Sequence, residues 1–116
     1  MVERLDRTRL DRTFRALSDG TRRTLLDQLS EGKRTVGELA RPFDMSLAAV
    51  AKHLNVLAEA GLIQRRYEGR QCWCSLDLDG LRTVDGWLSF HRRFWEERLD
   101  ALEATLVAER RKRKER

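Results

Sequence analysis

The polar side chains best suited to bind a ligand in this sequence cluster between residues 46 and 55. Lys52 is followed by His53 and, two residues later, by Asn55, and all three can hydrogen-bond phosphate oxygens or base edges of double-stranded DNA. Small alanines precede them, which would let a helix carrying these residues approach a duplex closely. The pattern predicts a DNA-reading surface.

Cys72 and Cys74 are the other chemically notable pair. Two residues apart on one strand, their thiols share a face but are poorly placed for an unstrained disulfide. A metal site would need one or two more ligands. We predict that they are packing residues, with a thiol-based redox or metal-responsive switch as the alternative.

No pattern in the sequence is typical of an enzyme active site. The chain lacks a glycine-rich phosphate loop, a nucleophile elbow and a clustered carboxylate pair. Its two histidines, His53 and His91, fall on different predicted elements. We therefore predict that the protein is not an enzyme and carries no cofactor.

Size and charge indicate one small domain. The chain has 116 residues, of which 41% are hydrophobic, and this is enough apolar material for one core. Of a net charge of +5, the last eight residues carry six basic and two acidic side chains. We predict a domain over residues 1–108 and a frayed or disordered basic tail over residues 109–116. No apolar stretch predicts a membrane span or secretory signal, so we expect a cytoplasmic protein with no membrane partner.

Two amphipathic helices are predicted before the cluster. The first covers residues 3–17, where charged residues alternate with an apolar stripe at i, i+4 and i+7. Asp19 or Thr21 can cap the second, which is expected to end near residues 31–32. The apolar positions of the first helix are Leu10, Phe14 and Leu17.

A very short helix and a longer one follow. Thr35 and Glu38 have the spacing of a capping box, which predicts a third helix. The fourth spans residues 46–60, with Ser46 able to cap its start and Gly61 able to end it. Its predicted inward face consists of Leu47, Val50, Leu54 and Leu57.

Residues 62–76 predict a β-hairpin. Two strands, 62–67 and 70–76, flank a turn at Glu68-Gly69, and the weak turn signal favours a loop longer than two residues. Cys72, Cys74 and Leu76 are expected on the inward face. Three arginines near the tip are expected to touch phosphates or a minor groove, with a solvated edge as the alternative. The complete set of predicted DNA contacts is Thr35, Ser46, Ala48, Ala49, Lys52, His53, Asn55, Arg65, Arg66 and Arg70.

Residues 79–108 predict a long helix with a wide aromatic and aliphatic stripe. One small domain cannot cover such a stripe, and the simplest completion is a two-fold dimer in which it packs against its copy and the first helix. The predicted dimer interface comprises Leu10, Phe14, Trp87, Leu88, His91, Phe94, Trp95, Leu99 and Leu102.

The predicted fold is mainly α with a β-hairpin wing, a winged helix-turn-helix with a long C-terminal dimerisation helix. The sequence resembles the ArsR/SmtB family of bacterial repressors in four segments, residues 14–23, 35–40, 50–63 and 69–70. The resemblance implies a homodimer in the bacterial cytosol that binds an imperfect palindromic operator on nucleoid DNA. It also implies repression of transcription from that site.

The sequence departs from the family where metals are sensed. The positions that resemble the family's Cys-x-Cys pair are Thr35 and Gly37, which supply no thiolate. In the last helix Asp85 is followed two residues later by Trp87 in place of a histidine. We therefore place the chain in a branch without the usual metal sites and expect no bound metal.

The sequence leads to one main hypothesis, a homodimeric, sequence-specific repressor of its own or neighbouring genes without the usual metal sensing. The alternatives are a thiol-based regulator and a winged-helix module that binds proteins. The recognition surface also departs from the family pattern, because Ala51 replaces a common serine and Leu47 a frequent polar residue. Fewer hydrogen bonds to bases are therefore available, and alanine methyls against thymine methyls, DNA shape, and Lys52 with His53 are expected to carry more of the recognition.

Overall fold

The computed structural model describes residues 2–115, with side chains from residue 7 onward. The chain is mainly helical, with one small antiparallel sheet and a long last helix, which confirms the predicted fold class. Within residues 2–115, no helix combines the length and apolarity that crossing a bilayer requires. The elements are α1 (Val2–Leu17), α2 (Gly20–Leu29), β1 (Arg34–Thr35), α3 (Val36–Ala40), α4 (Leu47–Glu59), β2 (Ile63–Glu68), β3 (Gln71–Leu76) and α5 (Leu78–Lys114).

The chain divides into two compact units, one through Val84 and the other from Asp85 onward. The division falls within α5, which runs for 37 residues. Helix α5 includes residues 109–114 as helix. The domain boundary at residue 108 and a tail that frays in solution stay predictions.

Two predicted caps hold the early helices. The Asp19 carboxylate accepts the backbone N–H of Arg22 at 3.1 Å and so begins α2. The Thr35 hydroxyl accepts the Glu38 N–H at 3.2 Å, and the Glu38 carboxylate accepts the Thr35 N–H at 3.4 Å. These bonds satisfy backbone donors that lack partners within their helices. Helix α2 ends at Leu29, slightly earlier than the sequence pattern indicates.

Strand β1 is an element that the sequence pattern does not predict. Arg34 pairs with Cys74 and Thr35 pairs with Trp73, in antiparallel register. The predicted hairpin is therefore part of a three-stranded sheet with the order β1-β3-β2. Two residues are too few to show the alternation by which strands are recognised in a sequence.

Helix α4 is anchored on one side by the core. Val50, Leu54 and Leu57 are buried there, as predicted. Leu47 was predicted on the same face, but it is 60% exposed. The prediction is wrong because Leu47 lies in the first turn, beyond Val50, the first α4 residue in the core cluster. At the other end Gly61, with φ of +74°, terminates the helix.

The turn between β2 and β3 differs by one residue from the prediction. Glu68 pairs with Gln71, so the loop consists of only Gly69 and Arg70. Gly69 has φ of +62°, which suits the first position of a type II′ turn. The predictions of a turn at Glu68-Gly69 and of a longer loop are therefore wrong. The inward orientation of Cys74 is confirmed, because it lies in the core.

The start of α5 lies directly against the end of α4 at two glycines. Gly80 N–H donates to the Gly61 carbonyl at 3.0 Å. A Cβ atom at position 80 would lie 2.5 Å from that oxygen and 2.8 Å from its carbon. Backbone atoms cannot yield as a flexible side chain does, so only glycine fits at this contact.

Gly80→Ala is accordingly expected to lower the free energy of unfolding by about 1–3 kcal/mol or more through overpacking, measured by urea denaturation. Gly86→Ala is the matched control, because position 86 is also in α5 and nothing lies within 4 Å of its Cβ. That substitution should stabilise slightly, since alanine favours helix more than glycine does. Equal effects of the two changes would contradict the close contact.

Candidate nucleic-acid interface

The outward side of α4 presents one continuous row. Its five exposed members lie at the spacing i, i+1, i+4, i+5 and i+8, which places them on one helix face. The sequence predicted Ala48, Lys52 and Asn55 as DNA contacts, and the family resemblance placed Ala51 on the recognition surface. Leu47, which the helical spacing assigned to the inward face, is exposed instead. We call this row the α4 face, defined as Leu47, Ala48, Ala51, Lys52 and Asn55.

Three other predicted contacts lie at or beside the helix start. The Ser46 hydroxyl accepts the Ala49 N–H at 3.1 Å as the cap of α4, which leaves its O–H free to donate. Ala49 itself is half-buried. The Thr35 hydroxyl is used in both senses, since it donates to the Glu38 carboxylate at 3.1 Å and accepts the Glu38 N–H.

His53 lies off the α4 face, against the start of α2. Its Nδ1 is 3.4 Å from Arg22 Nη1 and 3.9 Å from Asp19 Oδ2. Only 23% of the His53 side chain is exposed. The backbone N–H of Arg22 holds the pKa of Asp19 below its usual range, and the Arg22 charge acts in the same direction.

Asn55 and Arg65 contact each other. Arg65 Nη2 donates to Asn55 Oδ1 at 3.1 Å, and Asn55 Nδ2 donates to Glu59 Oε1 at 3.4 Å. Arg65 is paired with Cys74 in the sheet register, so it lies on the inner side of the hairpin, next to α4. The two side chains therefore link the hairpin to the α4 face before any ligand is present.

The other two hairpin arginines are separate from Arg65. Arg66 is paired with Trp73 and so lies on the opposite side of the sheet, while Arg70 occupies the loop at the tip. Lys33 Nζ lies 5.0 Å from the Trp73 ring centroid. Lys33, Arg66 and Trp73 help to line a groove of about 400 Å³. The expectation that all three arginines gather at the tip is wrong, because strand alternation separates neighbours in sequence.

The two thiols are free in this structure. Cys74 is buried and Cys72 is half-buried. Burial, with a smaller contribution from Cys72 beside it, raises the pKa of Cys74 to about 11. Since the thiolate is the reactive and metal-binding form, this environment disfavours the thiol-switch alternative at Cys74.

Iodoacetamide at about pH 9, close to the ordinary pKa of a thiol, should therefore alkylate folded Cys74 much more slowly than Cys72. Mass spectrometry of Cys72→Ser and Cys74→Ser variants separates the two rates, with urea-unfolded protein as the control. Because the folded pKa is raised, the unfolded state loses its thiol proton first, so this group's contribution to stability falls as pH rises from about 9 to 11. Equal alkylation rates in the folded protein would contradict the burial argument.

Helix α5 carries a long exposed apolar stripe within the unit that begins at Asp85. Six predicted interface residues there are between 42% and 59% exposed, namely Trp87, Leu88, Phe94, Trp95, Leu99 and Leu102. Leu106, which was not among the predicted interface residues, extends the stripe by one more turn, and its side chain is 48% exposed. On α1, Phe14 is 37% exposed and Leu10 is half-buried.

The second histidine, His91, lies in α5 and belongs to no metal-ligand cluster among the described residues. His91 packs among aromatic rings, with centroid distances of 4.2 Å to Trp87 and 5.2 Å to Phe90. Within the described part of the chain, no three His, Cys, Asp or Glu residues are placed to hold one metal ion. Thr35 stands at the position that resembles a Cys ligand of the family's metal sensors. Its hydroxyl is engaged in the capping box with Glu38.

Known proteins are similar to this chain in sequence and in fold. A family model described as a helix-turn-helix domain matches residues 17–66. The HTH-type transcriptional regulator Rv2034 of Mycobacterium tuberculosis is 42% identical over 85 residues, which cover 73% of this chain and 77% of that protein. The transcriptional repressor SdpR of Bacillus subtilis is 34% identical over 79 residues, 68% of this chain and 88% of SdpR.

Solved structures agree with these sequence matches. The crystal structure of an ArsR family transcriptional regulator is 39% identical with a TM-score of 0.73, covering 77% of this chain and 92% of that one. A homodimeric winged helix-turn-helix DNA-binding domain from Mycobacterium bovis, a possible ArsR-family regulator, is 26% identical with a TM-score of 0.58, covering 79% and 82%. The chain therefore belongs to the ArsR family of winged helix-turn-helix transcriptional regulators, which bind DNA and are not enzymes.

Proposed function

We propose that this regulator is a homodimeric repressor that binds an imperfect palindromic operator near its own or neighbouring genes. It acts in the bacterial cytosol on nucleoid DNA, without the family's usual metal sensing. The observation that carries the proposal is the α4 face, an exposed row on a helix that is capped at Ser46 and buried on its other side. A helix presented in this way fits a major groove.

The proposed readout uses few hydrogen bonds. The Ala48 and Ala51 methyls face thymine methyls, and Lys52 binds phosphate. Asn55 is hydrogen-bonded to Arg65, so these two side chains contact DNA as a pair. Arg66 and Arg70 contact the flanking backbone or minor groove, where the hairpin serves as the wing of the fold. Sequence-dependent DNA shape supplies the rest of the specificity.

A second copy completes the proposed operator complex. The exposed stripe of α5, with Leu10 and Phe14, forms the interface, because apolar surface of this extent is typical of a protein contact. The homodimeric relative from Mycobacterium bovis supports this assembly. Two α4 helices related by a dyad would then lie about 34 Å apart, one turn of DNA.

The test is a mobility-shift assay on the region upstream of the gene, titrated with salt. Specific binding should exceed binding to a scrambled duplex by about 10³-fold or more. Equal affinity for both duplexes would contradict sequence-specific repression and would favour a protein-binding module instead.

Lys52→Ala is expected to weaken binding to all duplexes, since the exposed ammonium contacts phosphate and no base. The slope of log affinity against log salt should become shallower by about one. The control is Arg93→Gln, which removes one positive charge from an exposed residue of α5. A change of base preference without a change of slope would show that Lys52 reads a base edge.

A further inference from the structure

The guanidinium group of Arg22 ties together the end of α1 and the start of α2. Its Nε donates to the Ala16 carbonyl at 2.7 Å, and its Nη2 donates to the Arg15 carbonyl at 2.9 Å. These carbonyls belong to the last turn of α1, where helical oxygens lack partners within the helix. Arg22 is therefore a cap for α1, although it lies within α2.

The remaining nitrogen of this guanidinium reaches α4. Arg22 Nη1 lies 3.4 Å from His53 Nδ1. A guanidinium group has donors and no acceptor, so this contact is a hydrogen bond only when Nδ1 of the imidazole is unprotonated. The neutral ring then carries its proton on Nε2. A hydrogen bond from Arg22 therefore favours this tautomer of His53.

Asp19 lies near the same ring nitrogen. Its Oδ2 is 3.9 Å from His53 Nδ1 and accepts the backbone N–H of Arg22. A proton on Nδ1 would remove the acceptor that Arg22 uses and would favour Asp19. The three side chains therefore form one connected group at the junction of α1, α2 and α4.

We infer that Arg22 is a positioning residue of the DNA interface, acting through His53 to fix the rotation of α4. The apolar contacts of Val50, Leu54 and Leu57 hold the helix in place but have little directional preference. A hydrogen bond does have a preferred direction. Since His53 follows Lys52 directly, the bond sets where the α4 face points. This inference rests on the proposed DNA contacts of that face.

The DNA experiment compares Arg22→Gln with Arg23→Gln. Both remove one charge and capping of α1, since Arg22 donates to two α1 carbonyls and Arg23 Nη1 donates to one, that of Leu17, at 2.8 Å. On a duplex selected by the wild-type protein from random sequences, Arg22→Gln should bind about tenfold more weakly with an unchanged salt slope. Arg23→Gln should stay within about twofold. A slope reduced by about one in Arg22→Gln would make Arg22 a phosphate contact and overturn the inference.

A double-mutant cycle then tests whether Arg22 acts through His53. Combined with His53→Ala, the Arg22→Gln substitution should cost little further affinity. Fully additive losses would overturn the inference. Thermal melting of each variant identifies loss of folding. Arg22→Lys, which keeps the positive charge and a single donor nitrogen, is a milder substitution that should recover part of the affinity.

A measurement without DNA separates this inference from the proposed function. The chain has only two histidines, so His91→Gln assigns the imidazole ¹H–¹⁵N spectrum of the free protein in mildly alkaline buffer. Nδ1 of His53 should be the unprotonated nitrogen, and its resonance should move in Arg22→Gln but not in Arg23→Gln. A protonated Nδ1, or an unmoved resonance, would overturn the Arg22 contact. If the spectra agree but the wild-type protein selects no duplex, the proposed function fails and the contact stands.

Discussion

Leu99→Glu is expected to convert the proposed dimer into monomers and to lower affinity for a two-half-site operator by about 10²–10⁴-fold, the avidity of paired modules. Leu99 is 59% exposed in the middle of the α5 stripe. If a second copy covers this stripe, the substitution buries a carboxylate without a partner. Sedimentation equilibrium gives the mass, and the mobility-shift assay gives the affinity.

Arg93→Gln is again the matched control. It changes the net charge by the same amount on the same helix, and helical spacing places it roughly opposite Trp95, Leu99 and Leu102. It should leave both mass and affinity unchanged. A Leu99→Glu protein that still sediments as a dimer would move the interface away from this stripe.

Leu54→Ala is expected to lower the free energy of unfolding by about 2–5 kcal/mol. The Leu54 side chain is 1% exposed and belongs to the core that supports α4. Its truncation removes buried apolar contacts and leaves a cavity. Urea denaturation measures the loss, and DNA affinity should fall with the folded fraction.

Leu47→Ala is the control on the same helix, because it makes the same chemical change at a residue that is 60% exposed. Its effect on stability should be within about 0.5 kcal/mol. Any change in DNA affinity would then arise from the α4 face itself. Equal destabilisation by the two substitutions would contradict the assignment of Leu47 to the outward face.

Local chemistry made much of the helical frame predictable. Asp19 and the Thr35-Glu38 capping box act on residues three positions away, so the local sequence contains both partners. The apolar spacing of Val50, Leu54 and Leu57 likewise requires only the helical period. The resemblance to the ArsR/SmtB family predicted the order of these elements, which no single motif specifies.

Several of the errors fall where partners are distant in sequence. His53 meets Arg22 from 31 residues away, and nothing near His53 indicates that the ring points toward α2. Strand β1 exists because β3 supplies its hydrogen bonds, 38 residues or more later in the chain. Arg65 and Asn55 were each predicted to face DNA, and their contact with each other depends on the turn after α4. Periodicity describes a helix or strand, but not which neighbour it will meet.

The Gly61 and Gly80 contact has a mechanical consequence. Gly61 ends α4, and its carbonyl accepts the N–H of Gly80 in the first turn of α5. The two helices thus share a backbone joint with no intervening side chain to absorb displacement. A displacement of the first turn of α5 would therefore act directly on the end of α4. A regulatory change that moved the first turn of α5 would therefore reach α4 without a thiolate or a metal ion.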